Sequence, residues 1–499
     1  MAAVDQEFFR RVSRIPHHGL GLSVDVYTPD LFELLDGLAT GGAGGRGLAC
    51  DYLEIFKAAQ PALAAVRRRL PNMMLEYHAE GLWVTQPDLT TGYPFEAELA
   101  ATSAQLQTLG SSWMNHECAA KQMAGYSFGT YLPPLFTPAS AEVTARHIGL
   151  VQDRLDRQGQ DSGWRSPLFL LELPPLTYFG FGDLSVAEFF RLVTERTPCG
   201  LVLDLGHLWT IHRYSNAWRD RGLREFCADF LEVFPLERVV QIHVAGLDEH
   251  ESGAQATEGR GPLWIDAHGA PIPDVLFEML AQVLAHPRLQ HVKGIALEVD
   301  NKSVPVIVQE FCRFRGQFSR WKGADRQGQE PGRQNEAPSR AQAVARESVA
   351  GTGRGPGDES RALLGQYDRY ARLVTGEAGD AGPTLGMEPE ALEFYRRTYF
   401  PHEILHWGGE LREMFPETCR QLDRAGLALE TFVRYWVREP RPALAPYDFF
   451  LLKVERFVEF VREVLPAAAQ GAEREAAELR GAYQTACEPV THGADACRG

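Results

Sequence analysis

Short apolar runs alternate with longer amphipathic segments over the first 318 residues of the chain. The runs are LGLSVDV (20–26), YLEIF (52–56), MMLEYH (73–78), SWMNHE (112–117), LFLLEL (168–173), GLVLDL (200–205), VVQIHVAG (239–246) and GIALEVD (294–300). The segments between them, such as PDLFELLDGL and SVAEFFRLVTER, open on a proline, serine or acidic residue, which suits a first helical turn. Because parallel strands need a helix-sized connection, this alternation predicts a parallel sheet. Eight units favour an α/β fold, a closed (β/α)8 TIM-type barrel over residues 1–318, and an open doubly wound sheet is the alternative.

The pattern changes after residue 318. Residues 319–362 are rich in Gly, Gln, Arg, Ser and Glu, with almost no bulky apolar side chain. Such a segment cannot bury enough surface to offset the entropy of ordering, so we expect a flexible, disordered linker. Residues 363–466 again place apolar residues at three- and four-residue steps, which predicts a small all-α domain. Residues 467–499 are expected to form a helix rich in Ala and Glu that ends in a disordered tail.

Charge and composition exclude some classes of function. The chain of 499 residues carries a formal charge of −16, whereas a protein that binds nucleic-acid phosphates needs a basic face. No apolar run approaches the roughly 18–20 residues that cross a bilayer, and the Arg pair near the start is not followed by the apolar stretch of a signal peptide. The eight cysteines are scattered without a CxxC pair, which indicates reduced thiols and a cytoplasmic location.

Side chains that can bind a metal recur at the ends of six consecutive apolar runs, from the third to the eighth, and just beyond two of them. They are His78, His116, Glu172, Asp204, His207, His243, Asp266, His268 and Glu298. In a (β/α)8 barrel the carboxyl ends of all strands meet at one mouth, so these side chains would face one another. A single His or Asp at a strand end is usually a satisfied core group, but six such ends in succession favour a metal site.

The chemical types of these side chains narrow the choice of metal. Histidine with carboxylates and no cysteine favours Fe, Mn or Zn. Nine side chains exceed the needs of one ion, so we expect two or three ions with a bridging carboxylate.

Seven phrases of the sequence resemble those of a known family. They are GLGLS (19–23), YLEIF (52–56), LLELP (170–174), GLVLDLGHLW (200–209), QIHVAG (241–246), IDAHGAPI (265–272) and ALEVD (296–300). In this order they resemble the multinuclear non-heme iron-dependent oxidative enzymes (MNIO), which include the methanobactin-biosynthesis oxidase. The resemblance covers residues 15–315, and it implies that the nine residues above are the metal ligands.

Three positions depart from the family pattern. The Leu-Glu-Asn of the fifth strand reads Leu171-Glu172-Leu173, which removes a polar group near the metal. The Asn that follows the sixth-strand Asp by three residues is His207, and the His-Gly-Val after the third strand is His78-Ala79-Glu80. An imidazole binds iron more tightly than an amide does, so the second change alters the strength or the identity of one metal position.

The resemblance implies an oxidative reaction on a peptide. It implies two or three iron ions, which can be of mixed valence, O2 as co-substrate, and a precursor peptide in which a residue, above all cysteine, is modified. Among the ligands, Asp204, His207 and Asp266 are the best candidates for residues near the substrate. The domain at 363–466 resembles the partner proteins that recruit the peptide for these enzymes, through FPETC (415–419) and its closing aromatic helix. A generic helical domain packed on the barrel is the equal alternative.

Three further motifs point elsewhere. His402, Glu403 and His406 form a literal HExxH, the zinc-protease spacing, but Pro401 places it at a helix start and only Glu410 follows at one turn. Residues 42–47 match GxGxxG but lie after a helix and before a strand, the reverse of a dinucleotide site, so we interpret them as a loop. In the tail, Cys487 and Cys497 flank His492, and we interpret them as stray thiols.

Other metal enzymes on related barrels use the same kinds of ligand. A divalent-metal sugar isomerase or epimerase and an apurinic endonuclease-like enzyme are therefore the alternatives to the peptide oxidase. Few lysines lie in the barrel to hold a sugar phosphate, and the acidic charge opposes an endonuclease.

Overall fold

The computed structural model describes residues 3–27, 29–41, 50–176, 178–250, 262–321, 356–377, 385, 388–441 and 445–486. The Gly-rich loop at 42–47, most of the predicted linker and the cysteines of the tail lie outside the described residues. No described helix is both long enough and apolar enough to cross a membrane.

Fourteen strands occur in the described part of the chain. They are β1 (Gly19–Val24), β2 (Tyr52–Phe56), β3 (Met74–Ala79), β4 (Trp113–Glu117), β5 (Ala120–Met123), β6 (Tyr126–Leu132), β7 (Leu135–Phe136), β8 (Leu168–Glu172), β9 (Phe181–Gly182), β10 (Gly200–Asp204), β11 (Val239–Val244), β12 (Leu247–His250), β13 (Leu263–Asp266) and β14 (Gly294–Glu298). Eight of them close into a parallel barrel in the order β1-β14-β11-β10-β8-β4-β3-β2. Each of these eight lies in one of the apolar runs, so the predicted barrel is confirmed and the open sheet is excluded.

Helices follow the barrel strands as the sequence pattern predicts. In this region they are α1 (Ala3–Val12), α2 (Leu31–Thr40), α3 (Gln60–Arg69), α4 (Phe95–Leu109), α5 (Pro138–Ser162), α6 (Val186–Thr194), α7 (Leu205–Tyr214), α8 (Leu223–Val233), α9 (Asp274–Leu284) and α10 (Val304–Phe318). Ser185 and Glu188 form a reciprocal capping box at the start of α6. Helix α1 closes the amino-terminal end of the barrel, where Phe8 and Val12 pack with Tyr52.

The remaining six strands are short and lie in loops at the carboxyl end of the barrel. Strands β5 and β6 form an antiparallel hairpin after β4, and β12 and β13 form another after β11. Strand β7, which follows the β5–β6 hairpin, pairs in parallel with β9, which lies in the loop after β8. These additions build up the mouth of the barrel, where the predicted metal ligands lie.

The C-terminal region is helical. Its helices are α11 (Pro356–Thr375), α12 (Pro389–Phe394), α13 (Phe400–His406), α14 (Leu411–Met414), α15 (Pro416–Arg424), α16 (Glu430–Trp436), α17 (Phe449–Val464) and α18 (Ala469–Ala486), and a π-helical turn (Tyr395–Tyr399) joins α12 to α13. Helix α11 begins at Pro356, within the range predicted as linker, because apolar residues such as Leu363 and Tyr367 further along it pack into the core and sustain the helix.

The C-terminal helices pack directly on the barrel, and one continuous hydrophobic core includes both. Trp436 on α16 donates from Nε1 to the Ser127 carbonyl of hairpin β5–β6 at 2.6 Å. The Tyr367 hydroxyl of α11 lies 2.7 Å from Ser140 Oγ at the start of α5. The region is therefore built into the mouth of the barrel.

Candidate metal centre

Strand register brings the candidate ligands to one level at the carboxyl end of the barrel. Asp204 pairs with His243 across β10 and β11, and Glu117 pairs with Glu172 across β4 and β8. Ser23 on β1 pairs with Glu298 on β14. Because side chains alternate along a strand, residues at matching register on neighbouring strands point to the same side of the sheet.

Glu172 lies at the centre of the cluster and is fully buried. Its Oε1 is 2.9 Å from Nδ1 of His243, and its Oε2 is 3.1 Å from Nε2 of His78. The Asn115 amide donates a hydrogen bond to Oε2. Burial raises the pKa of Glu172, but the two imidazoles and their hydrogen bonds outweigh it and hold that pKa well below its usual value.

Glu298 extends the cluster toward the loop after β13. Its Oε1 is 3.2 Å from Nδ1 of His243, and its Oε2 is 3.2 Å from Nε2 of His268. The other ring nitrogen of His268 lies 2.5 Å from Asp300 Oδ1. A carboxylate behind a histidine fixes its tautomer and directs the free nitrogen, here Nε2, into the cluster.

A third set of contacts, after those of Glu172 and Glu298, is made by His207 at the start of α7. Its Nδ1 donates to the Leu173 carbonyl at 2.5 Å, and its Nε2 lies 3.0 Å from Asp266 Oδ2. The His207 backbone N–H donates to Asp204 Oδ1 at 2.6 Å, because Asp204 caps the helix that follows it directly. At the position where the family pattern has Asn, a backbone carbonyl therefore orients the imidazole.

His116 lies beside the cluster. It is buried between the rings of Trp83 and Phe169, and its Nδ1 donates to the Glu117 carbonyl at 2.9 Å. Its Nε2 is buried and has no hydrogen-bond partner among the described residues. Burial lowers the pKa of His116 to about 4, so this nitrogen carries a free lone pair at neutral pH. The structure thus joins eight of the nine predicted residues through short contacts and places the ninth next to Glu117.

The donor atoms form two groups that could bind metal ions. One atom each from Glu172, Asp204, His243 and Glu298 lie within 4.8 Å of one another, and a second such group comprises His78, Glu117 and Glu172. Asp204 Oδ2, Asp266 Oδ1, Glu298 Oε2 and Glu117 Oε2 are buried without a hydrogen-bond partner among the described residues. Buried carboxylate oxygens need a partner, and divalent cations satisfy several at once, so the residues fit a metal cluster.

The acid–base state of the cluster agrees with this fit. Burial, with Glu298 and Asp266 nearby, raises the pKa of Asp204 to about 7 although His207 opposes the shift. Burial and the charge of Glu172 raise the pKa of Glu117 well above its usual value. These carboxylates repel one another in the absence of a cation.

Sequence reasoning missed four residues at the site. Glu117 belongs to the second donor group, Asn115 and Asp300 hold ligands in place, and Glu54 Oε1 lies 2.8 Å from His243 Nε2. Glu54 and Asn115 lie within apolar runs, where a buried polar residue is itself a signal. Glu117 directly follows a predicted ligand, and Asp300 ends the eighth run.

The HExxH motif forms no comparable group. His402 and His406 lie on the seven-residue helix α13, with side chains 62% and 43% exposed. Their rings stack 4.6 Å apart, and His406 Nδ1 contacts Glu410. Neither histidine belongs to a group of three metal-binding side chains in the described part of the chain.

Comparison with known proteins points to one family. The model of the family described as RiPP precursor modification enzyme MbnB/TglH/ChrH, where RiPP denotes a ribosomally synthesised and post-translationally modified peptide, matches residues 51–315. A UPF0276 protein of Paraburkholderia phytofirmans is 30% identical over 243 residues, which span 47% of this chain and 67% of the relative. UPF0276 protein VP3015 of Vibrio parahaemolyticus is 23% identical over 254 residues, which span 47% of this chain and 78% of the relative.

Solved structures with a similar fold are more distant. Endonuclease IV of Thermus thermophilus has 17% identity and a TM-score of 0.36, covering 61% of this chain and 99% of its own. D-psicose 3-epimerase of Clostridium cellulolyticum has 12% identity and a TM-score of 0.34, and the match covers 60% of this chain and 98% of the epimerase. At these scores the likeness supports no inference about activity.

Proposed function

Because the chain belongs to the MbnB/TglH/ChrH family of RiPP precursor modification enzymes, we propose that it oxidatively modifies a cysteine in a ribosomally made precursor peptide, using iron and O2. The observation that carries the proposal is the buried cluster at the barrel mouth, in which two donor groups share Glu172. A shared carboxylate is the arrangement expected where two ions lie side by side.

The ligand assignment follows the two groups and their neighbours. His243, Glu298, Asp204 and Glu172 would hold one ion, and His78, Glu117 and Glu172, with His116 beside them, a second. His207, Asp266 and His268 would be the ligands for a third. When bound, iron supplies a binding site for a substrate thiolate and, with O2, the oxidising equivalents for the modification.

The protein holds this donor set rigid. Asn115 fixes one oxygen of Glu172, the Leu173 carbonyl fixes the tautomer of His207, and Asp300 fixes that of His268. Such supporting contacts typically change metal affinity by about 10–100-fold. These contacts would orient the donor atoms toward a bound metal.

The substrate reaches the cluster from the side of β13. His268 has a side chain 23% exposed and Asp266 one 10% exposed, whereas the other ligands are at most 6% exposed. The C-terminal helices contact the mouth of the barrel at hairpin β5–β6. We infer that this region receives the peptide in cis, the role that its resemblance to the family's partner proteins implies.

Metal content tests the proposal. The chain purified without oxygen is compared with the double variant His243→Ala/His268→Ala and with His286→Ala, a histidine just beyond α9 whose ring contacts Glu232 and the backbone of Arg288. We expect more than one iron per chain by elemental analysis, with Mössbauer signals of coupled sites, lost in the double variant and kept in the control. A single zinc, or iron that survives the double substitution, would contradict the cluster.

The reaction is tested by mass spectrometry. The enzyme is expressed together with candidate precursor peptides that contain cysteine, and the mass of each peptide is measured. We expect an oxidative mass change that depends on the cysteine and disappears with a Cys→Ser peptide. A modified Cys→Ser peptide would refute cysteine as the target.

A further inference from the structure

The π-helical turn at Tyr395–Tyr399 lies where the C-terminal region meets the barrel mouth. Single π-helical turns are rare, and they occur mostly at functional sites. One end of this turn is anchored, since the Tyr395 hydroxyl lies 2.8 Å from Thr130 Oγ1 on β6. The extra residue in the turn changes the direction of the side chain at its other end, Tyr399.

Tyr399 connects to strand β13 through aromatic contacts. Its ring packs on Tyr178, and the Tyr178 ring also contacts that of Tyr214. The Tyr214 hydroxyl donates to the Trp264 carbonyl, two residues before Asp266. Burial raises the pKa of Tyr399 well above its usual value, and the carboxylates of Glu403 and Asp266 add to this shift. Among the candidate ligands, the Asp266 side chain is the most exposed after that of His268. The side chain of Tyr399 is partly buried, so it remains accessible from the mouth.

Tyr178 faces Tyr399 from the barrel. The two rings meet edge-to-face at 5.1 Å. Tyr178 is 2% exposed, and its hydroxyl has no partner among the residues that the structure describes. Its backbone adopts φ 75°, a conformation that non-glycine residues rarely take and that costs about 1–3 kcal/mol. A buried hydroxyl without a partner adds to that cost, so the fold places this side chain here at a loss of stability.

We propose that Tyr178 and Tyr399 form a two-hydroxyl donor site that binds a carbonyl oxygen of the peptide substrate beside Asp266. The C-terminal region thereby supplies part of the substrate site. This inference rests on the proposed function for the identity of the ligand as a peptide. Both phenols keep their protons at neutral pH, because burial raises the pKa of each, so both can donate.

The two hydroxyls suit a neutral acceptor. Glu403 raises the pKa of both tyrosines, so a negative charge already lies near the pair. An anionic ligand would be repelled there, whereas a carbonyl oxygen carries only a partial charge and accepts two hydrogen bonds. Peptide carbonyls have this chemistry, and they occur at every residue around the one that is modified.

The first test compares thermal stability. If the Tyr178 hydroxyl serves a ligand, Tyr178→Phe removes an unsatisfied buried group and raises the Tm by about 1–3 °C. Tyr395→Phe is the matched control: its hydroxyl is bonded to Thr130, so we expect its loss to lower the Tm. A lower Tm for Tyr178→Phe would show that the hydroxyl has a structural partner, and it would overturn the proposal.

The second test measures ligand binding directly. The full chain is labelled with 3-fluorotyrosine, and the 19F signals of positions 178 and 399 are assigned by their loss in the two Tyr→Phe variants. N-acetyl-L-cysteine methylamide, which carries a thiol and two peptide carbonyls, is then titrated without added metal. We expect both signals to shift along one saturable curve, and Tyr399→Phe to raise the Kd about three- to tenfold.

A distant tyrosine provides the control for this titration. Tyr435 on α16 packs against Phe460 and Arg441, and Tyr435→Phe should leave the Kd unchanged. Signals that do not move, or a Kd that Tyr399→Phe does not change, would refute the donor site. Because no metal is added, that outcome is independent of the iron content and the peptide mass change that test the proposed function.

Discussion

The ion pair between Arg213 and Glu388 connects the C-terminal region to the helix that carries His207. The Glu388 carboxylate binds the Arg213 guanidinium through two contacts, at 3.0 and 3.3 Å. Arg213 is 1% exposed, donates to the Pro262 carbonyl and stacks on Trp218. Glu388→Ala would leave this cation buried beside a neutral side chain.

The cost follows from the burial of the cation. Removing one partner of a buried ion pair typically destabilises by about 3–5 kcal/mol, because the other charge stays desolvated. The Pro262 carbonyl and the Trp218 ring remain, and the Glu388 side chain is 15% exposed, so water can partly replace it. We therefore expect a loss of about 2–3 kcal/mol for Glu388→Ala.

Urea unfolding of the full chain, followed by tryptophan fluorescence and by circular dichroism, measures this loss. Arg219→Ala is the control, because Arg219 binds the same carboxylate at 2.9 Å but is 42% exposed, and we expect it to cost under about 1 kcal/mol. In Arg213→Met/Glu388→Ala the buried cation is gone, so much of the stability should return. If Glu388→Ala cost no more than Arg219→Ala, the reasoning from burial would be wrong.

Three further substitutions test the candidate metal centre and the burial of a lysine in the C-terminal region. Asn115→Leu removes the hydrogen bond to Glu172 and should weaken metal binding about 10–100-fold in a chelator competition, whereas unchanged affinity would exclude a positioning role. Burial lowers the pKa of Lys453 from its ordinary value of 10.5 to about 7 in the folded protein. Between about pH 7 and pH 10.5, Lys453 is therefore protonated in the unfolded chain but has lost its proton in the folded one. The free energy of unfolding should therefore rise with pH there, by up to about 1.4 kcal/mol per unit, and Lys453→Met should lose this slope; an equal slope in both proteins would assign it to other groups. A Cβ at position 246 would lie 2.0 Å from the Ala270 carbonyl oxygen, so Gly246→Ala should displace the loop after β13 and lower the metal content, and full metal content would show that the loop adapts.

The barrel could be predicted because each strand is buried on both faces and appears as a short apolar run. The candidate ligands stand out in the sequence for the same reason: a polar side chain such as His78 or Glu172 contrasts with the run that it ends. Topology then brings strand ends together without knowledge of side-chain packing. The supporting residues Asn115 and Asp300 give a weaker signal, since their roles depend on which neighbour they contact.

The sequence offers packing of the C-terminal helices on the barrel as one of two alternatives, but it cannot show which contacts make that packing. Amphipathic periodicity shows that a helix has a buried face but not what covers that face. The π-helical turn is a second example, since the anchoring of Tyr395 on Thr130 is a contact between residues far apart in the chain. The positive φ of Tyr178 is likewise not predictable, because tyrosine has no intrinsic preference for such a backbone.

Packing of the C-terminal helices onto the barrel has a consequence for how the enzyme responds to dilution. A separate partner chain dissociates when its concentration falls below the Kd, and specific activity then falls with it. Here Trp436 and Tyr367 hold the two regions together within one chain, so the association is first order and independent of protein concentration. Activity per mole of this protein should stay constant across dilution at saturating peptide, where a two-chain system would lose it.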